Sequence, residues 1–432
     1  MFTALFTSFL ILMFVVGAPL AFAMLLSSVV ALWYYATLPG VAPIPWVVTP
    51  QRMFIIVDSF PLMAVPYFIL AGELMERGGI SLRLVKFAVA LVGRIRGGLS
   101  LAAVLASMIF AGVSGSGAAD TAAIGSLTIP ALIKKGYPRG YVAAFQAVAG
   151  ALGPIFPPSI IMLIYSAIAN QSPARMFLGG IVPGILIGLG LMIVSYIYAV
   201  RHGYGAEEAA GWRDVLKATL DASFALVSPV IILGGILLGV FTATEAGVVA
   251  VVYAFIIGTC VYKELKIAEM PAALVKAALT TSVVMFVVSA SGIFGWLLAA
   301  ARAPVVAAEF LTSLTNNPYL IFLIVIVFLL IVGGLMEEAA SIIILVPVLH
   351  PLAMRFGINE LHWAVILSMT LVVGAVTPPV ASFLFIATAI AQTTLGDSSK
   401  HVWVFLAVMV GVILLAVVFP QLVLFLPKLL MG

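Results

Sequence analysis

Six carboxylates stand in or beside strongly apolar stretches of this 432-residue chain: Asp58, Glu73, Asp120, Glu245, Glu337 and Glu338. A carboxylate kept from water inside a bilayer is costly, so it normally faces the protein interior and serves function. Glu337 and Glu338 lie in GGLMEEAASIIILVPVLHPL, which starts at Gly333. Asp120 follows Ser114-Gly115-Ser116-Gly117 in AGVSGSGAADTAAIGSLTIPAL, which starts at Ala111. The Gly-Ser run supplies flexible backbone and small hydroxyls, and unwound helix tips of this kind coordinate hard cations such as Na⁺. A helix beginning at such a tip carries partial positive charge that would attract a carboxylate. Small residues also let membrane helices pack closely, so the run by itself fits either duty.

The other polar residues have plainer readings. Asp120 is one turn beyond the tip and is suited to capping a helix start. Glu245, in GVFTATEAG, reads as a helix start with Thr242 and Thr244 as cap candidates. Glu73 and Glu76 with Arg77 end an apolar segment and read as interface residues. Gln146, Asn170 and Gln171 fit interhelical hydrogen bonds as well as ligand contacts. The single cysteine, Cys260, forms no intrachain disulfide and reads as a small apolar residue in a span.

Several chemistries are excluded. The chain has no G-x-x-x-x-G-K-[ST] phosphate loop and no H-E-x-x-H zinc motif, and its four histidines have no ligand spacing. It has no G-x-S-x-G nucleophile elbow. An enzyme is not expected, and neither a cofactor nor a nucleic-acid partner is indicated.

The elements that must hold these residues are membrane helices. The chain is 64% hydrophobic, 8% charged and has a mean hydropathy of +1.29, whereas soluble domains carry about a quarter charged residues. Continuous apolar runs recur throughout, without the alternation of a β-barrel, and predict an all-α polytopic membrane protein of about ten to twelve spans plus re-entrant pieces. The N-terminus reads as a first span, since the first Lys or Arg is Arg52 and a signal peptide needs a basic start. Basic clusters at Arg77–Arg96 and Lys134–Arg139 are candidate cytoplasmic segments. The segment 81–92 is amphipathic enough to lie along the interface with its basic residues on lipid headgroups.

Two broken helices organise the whole. GYPRGYVAAFQAVAGALGPIFPPSI from Gly136 and GINELHWAVILSMTLVVGAVTPPVASF from Gly357 carry matched glycines and prolines. One offset of 221 carries Gly112 to Gly333, Pro130 to Pro351, Gly136 to Gly357, Gly153 to Gly374 and Pro157-Pro158 to Pro378-Pro379. Tandem prolines donate no backbone hydrogen bonds and break a helix. A matched pair of breaks in apolar surroundings is tolerated where the freed carbonyls line a polar cavity, the sequence mark of a secondary transporter's binding site. The expected organisation is a first half over 1–200, with a hairpin at about 100–133 and a broken helix at about 139–168. A polar connecting loop at 201–218 leads to a second half over 219–432, with a hairpin at about 319–350 and a broken helix at about 361–390. The residues leave open whether the halves are parallel or inverted.

The chain resembles the large membrane subunit of tripartite ATP-independent periplasmic (TRAP) transporters along essentially its whole length. The resemblance is carried by AGELMERGGISLRLVKFAVALVGRIRGGLS from Ala71, SGSGAADTAAIG from Ser114, GYPRGYVAAFQAVAGALGPIFPPSI, FTATEAGVVAVVYA, GGLMEEAASIIILVPVLHP and GAVTPPVASFLF. It implies inverted repeats in an elevator-type ion-transporter fold, and import of an organic acid coupled to Na⁺ across the bacterial inner membrane. It also implies two partners, a small membrane subunit and a periplasmic substrate-binding protein. Na⁺ and substrate would bind at the hairpin tips and helix breaks. These are Ser114, Gly115, Ser116 and Gly117, then Pro157, Pro158 and Ser159, then Gly333, Gly334 and Glu337, then Thr377, Pro378 and Pro379. The chain departs from the family's pattern at Ala243, where proline is common, and at Glu337, where aspartate is. The competing reading is a stand-alone ion-coupled anion carrier of related fold that needs no binding protein.

Overall fold

The 221-residue offset is written through the helices. The computed structural model describes residues 2–38, 44–206 and 211–432, and among them every regular element is helical. First-half helices start at Phe2, Val48, Gly98, Gly117, Arg139, Ile160 and Pro173. Their second-half counterparts start at Ser223, Met270, Pro318, Glu338, Glu360, Ser382 and Leu395, each within two residues of that offset. The repeat therefore covers more of the chain than its glycine and proline marks announce. It includes a helical hairpin at the start of each half, Phe2–Leu10 with Leu20–Ala36 and Ser223–Leu237 with Ala243–Ile256. Both of those hairpins turn at a left-handed glycine, Gly17 at φ +71° and Gly239 at φ +69°, a conformation glycine adopts freely.

The halves are not identical. The first half has a 64° bend between Val48–Val57 and Phe60–Arg77, where its counterpart Met270–Ala300 is one 31-residue helix. Pro61, which has no N–H to donate, lies at that bend. The segment expected to be a connecting loop ends in the helix Trp212–Asp221, while 207–210 lie outside the described residues. Among the described residues, five helices are long and apolar enough to cross a membrane, or up to eight if each bent pair is one span. That is fewer than the ten to twelve expected, because tips and breaks cut the apolar runs into arms shorter than a bilayer.

Three contacts fix how the repeats face each other. Arg139, which begins the first broken helix, donates from Nη1 to the carbonyl of Ala391 at the end of the second (2.7 Å). At the other end, Gln171 donates to Glu360 (2.8 Å), and the Tyr165 hydroxyl bonds Nδ1 of His350 (2.9 Å). The start of each broken helix thus lies beside the end of the other, and the repeats are inverted. One face carries Arg94, Arg96, Lys134, Lys135 and Arg139; the opposite face carries Asn170, Gln171 and the base of the second hairpin.

The broken helices occupy the interior. Every residue from Gly140 to Gly150 and from His362 to Gly374 is buried. With 12 residues before its break and 10 after it, the first broken helix spans about 18 Å and then about 15 Å. Its break therefore sits near mid-membrane, shielded by protein from lipid that could not satisfy it.

The segment expected along the interface is the helix Ile80–Val92. Its Arg83 corrects the expectation of headgroup contact. The side chain pairs with Glu264 (2.8 Å) and Asp221 (3.6 Å) and lies 3.7 Å over the Tyr262 ring, tying this helix to the second half.

Candidate functional site

In the first hairpin, helices Gly98–Ser114 and Gly117–Lys134 meet at Gly115-Ser116. Gly115 adopts φ +62°, and a Cβ there would lie 2.5 Å from the carbonyl oxygen of Pro158. The tip therefore needs glycine both for its conformation and for the approach of the break. The approach is hydrogen-bonded, with the Ile160 N–H donating to the Gly115 carbonyl (3.2 Å). Ser116 caps the returning helix by accepting from the Ala119 N–H (3.4 Å). Ser159 does the same for Ile160–Ala169, accepting from Met162 (3.2 Å), while its hydroxyl donates to the carbonyl of Pro154 (2.5 Å).

The second hairpin repeats this with different residues. Pro318–Gly333 and Glu338–Arg355 meet at 334–337, and Glu337, which stands 221 positions after Ser116, caps the returning helix through Ala340 (3.3 Å). The Val380 N–H donates to the Gly334 carbonyl (3.1 Å), the counterpart of the Ile160–Gly115 bond. The backbones of Gly333 and Gly374 approach so closely that a Cβ on Gly374 would lie 2.5 Å from the Gly333 Cα. Thr377 donates to the Val373 carbonyl (2.8 Å), at the edge of Pro378 and Pro379. The Pro157-Pro158 and Pro378-Pro379 peptide bonds are both cis.

Each break leaves carbonyls free. Among the described hydrogen bonds, none is accepted by the carbonyls of residues 155–158 or 376–380. Four helices, starting at Gly117, Ile160, Glu338 and Ser382, present positive N-terminal ends beside these oxygens. Carbonyls suit a hard cation and helix N-termini suit a carboxylate, so one centre can hold both. No group of three or more His, Cys, Asp or Glu among the described residues could hold a metal ion. A cation here would rely on backbone and hydroxyl oxygens.

The two centres are interlocked. Gly117 lies against the Phe383 ring of the second broken helix, and Tyr165 of the first meets His350 of the second hairpin. They differ in access. Pro157, Pro158 and Ser159 are buried, whereas Pro379, Val380 and Glu337 are exposed. A cavity of about 550 Å³ is lined by Gly334, Thr377, Pro378 and Pro379, and another of about 690 Å³ reaches Glu337.

Asp120 is not the cap it was expected to be. Its amide donates to the Ser116 carbonyl (3.0 Å), and its carboxylate is buried with neither oxygen in a hydrogen bond of ordinary geometry, only the Ser107 hydroxyl standing alongside. Glu338 is likewise buried, with Oε2 unpartnered. Both belong with the tips, and the signal for them was the cost of a carboxylate in an apolar run. Gln146 takes the structural reading, accepting from Thr128 (2.9 Å) and donating to Ser107 (3.4 Å), and Gln171 pairs with Glu360. Thr242 caps its helix with Glu245 in a reciprocal capping box. Glu73 is itself buried and pairs with both Arg77 (2.7 Å) and the exposed Lys276 (2.6 Å), which ties this helix end to the second half.

Comparison with known proteins agrees with this architecture. The sequence model of the family described as "Tripartite ATP-independent periplasmic transporter, DctM component" matches residues 7–422. An isethionate TRAP transporter permease protein of Oleidesulfovibrio alaskensis is 38% identical over 96% of this chain, which spans 64% of that relative's length. A C4-dicarboxylate TRAP transporter large permease protein of Vibrio cholerae is 37% identical over 97% of this chain and 96% of its own. The sialic acid TRAP transporter large permease protein of the same organism is 35% identical over 88% of this chain and 90% of its own. Inverted repeats, paired tips and breaks, and a match along nearly the whole chain point the same way: this chain belongs to the DctM family of tripartite ATP-independent periplasmic transporters.

Proposed function

We propose that the chain is the permease subunit of a Na⁺-coupled importer of an organic anion across the bacterial inner membrane. The observation that carries this reading is the pair of carbonyl runs freed at the breaks, each break tied to a hairpin tip through the N–H of Ile160 or Val380 and flanked by helix N-termini. Na⁺ would bind those carbonyls with the hydroxyls of Ser114, Ser116 and Thr377. Asp120 and Glu338 would lower the cost of bringing a cation to mid-membrane. The anion would then meet the N-termini beside Gly117, Ser159, Glu337 and Pro379. The relatives are named for a sulfonate, a dicarboxylate and a sugar acid, so the shared chemistry is an anionic head group on a small organic skeleton. A small membrane subunit and a periplasmic binding protein complete the assembly that the family's name describes.

Transport would proceed by an elevator motion of the hairpins and broken helices within two repeat halves, 1–200 and 219–432, joined by 201–218. Lys and Arg crowd the face of Lys134 and Arg139, which supports a cytoplasmic assignment for it. The test is uptake of labelled anions into proteoliposomes holding this chain and its small membrane subunit. Uptake that needs both an inward Na⁺ gradient and the binding protein is expected. Uptake without the binding protein would favour a stand-alone carrier instead, and uptake indifferent to Na⁺ would overturn the coupling.

A further inference from the structure

On the face opposite Lys134, away from tips and breaks, a cleft of about 510 Å³ lies where the two halves meet. Arg52, Asp58 and Ser59 line it from the bent first-half helix, Ser291 and Trp296 from Met270–Ala300, and Asn170 from the end of the first broken helix. The Arg52 guanidinium carbon lies 5.1 Å from the centroid of the Trp296 ring. Among the described residues Arg52 makes no ion pair, in contrast to Arg77 and Arg83. The fold does not require this polarity. The same offset of 221 that matches the helices places Ala273 opposite Arg52 and Leu279 opposite Asp58.

We propose that Arg52, held against Trp296, is an arrival subsite for the carboxylate or sulfonate head group of the substrate before it reaches the breaks. This rests on the transporter reading given above. A guanidinium lying over an indole at cation–π distance keeps N–H donors available for hydrogen bonds to a carboxylate or sulfonate. Asn170 adds an amide from the broken helix. Asp58 shares the cleft with no ion pair to Arg52 and opposes a bound anion, which suits a station that must release its ligand onward. The cleft is walled by helices on both sides of the division an elevator would move along, so it would change shape as the anion passes.

The experiment is a fluorescence titration of the purified permease with sodium succinate, sodium isethionate and sialic acid at constant ionic strength in chloride. No binding protein is added, so any response belongs to the permease. A saturable change in tryptophan emission is expected with at least one of the anions. It should be lost in Trp296→Phe and in Arg52→Gln and retained in part in Arg52→Lys. In proteoliposomes Arg52→Gln should raise the KM about tenfold with little change in maximal rate. Absence of any saturable change in the wild type, or a change that persists in Arg52→Gln, would overturn the subsite. An emission change that behaves as expected in a protein showing no uptake would leave the subsite standing and defeat the transporter reading instead.

Discussion

Ser116 and Glu337 stand at the same position of the two repeats and cap corresponding helices, Gly117–Lys134 and Glu338–Arg355, yet only one carries charge. Capping and charge can therefore be separated. Glu337→Gln keeps an acceptor for the Ala340 N–H and removes the charge, so melting should be unchanged. The Na⁺ concentration for half-maximal uptake should rise severalfold if the charge serves the cation. Glu337→Ala should also lose about 1 kcal/mol of stability, seen as a lower melting temperature. Bulk at the tips is a harsher test: Ser116→Leu or Thr377→Leu should abolish uptake while the protein still inserts. Wild-type uptake by either would remove those residues from the site. The tip residues were legible because glycine, serine and proline are rare between apolar arms. The buried state of Asp120 was not, since sequence shows its place after a tip but not that its oxygens find so little around them.

At the scale of the element, each hairpin tip is welded to a break by one backbone hydrogen bond and by backbone-to-backbone packing. Gly115→Ala would place a side chain in left-handed backbone, costing about 1–2 kcal/mol, and would set its Cβ 2.5 Å from the Pro158 oxygen. Uptake should fall at least tenfold, with normal amounts of protein in the membrane. Uptake near the wild-type rate would mean that the tip and break do not work as one unit. Hairpins and breaks could be read because proline and glycine change what a backbone can do. The paired hairpins at Phe2–Ala36 and Ser223–Ile256 obey the same offset but went unread. Thr242 and Glu245 mark a helix start at the second turn, but the matching positions of the first are Ala21 and Met24, so only Gly17 and Gly239, 222 residues apart, tie the two turns together.

At the scale of the molecule, inversion was invisible in the residues because it depends on the parity of crossings, and apolar runs blur where one helix ends. Arg139 on Ala391 and Gln171 on Glu360 resolve it through contacts between distant segments. The inverted arrangement with its basic face predicts orientation. In a Cys260→Ser background, Lys135→Cys should react with an impermeant maleimide only from the cytoplasm, and Asn170→Cys only from the periplasm. The reverse pattern would invert the assignment and place the Arg52 cleft on the wrong side for import.

If the two breaks with their tips hold the coupling cation, the purified permease should bind ²²Na⁺ at equilibrium without any partner or gradient. Saturable binding displaced by unlabelled Na⁺ but not by K⁺, and lost when Ser116→Leu and Thr377→Leu are combined, is the predicted result. Absence of saturable binding, or binding untouched in that double variant, would contradict it.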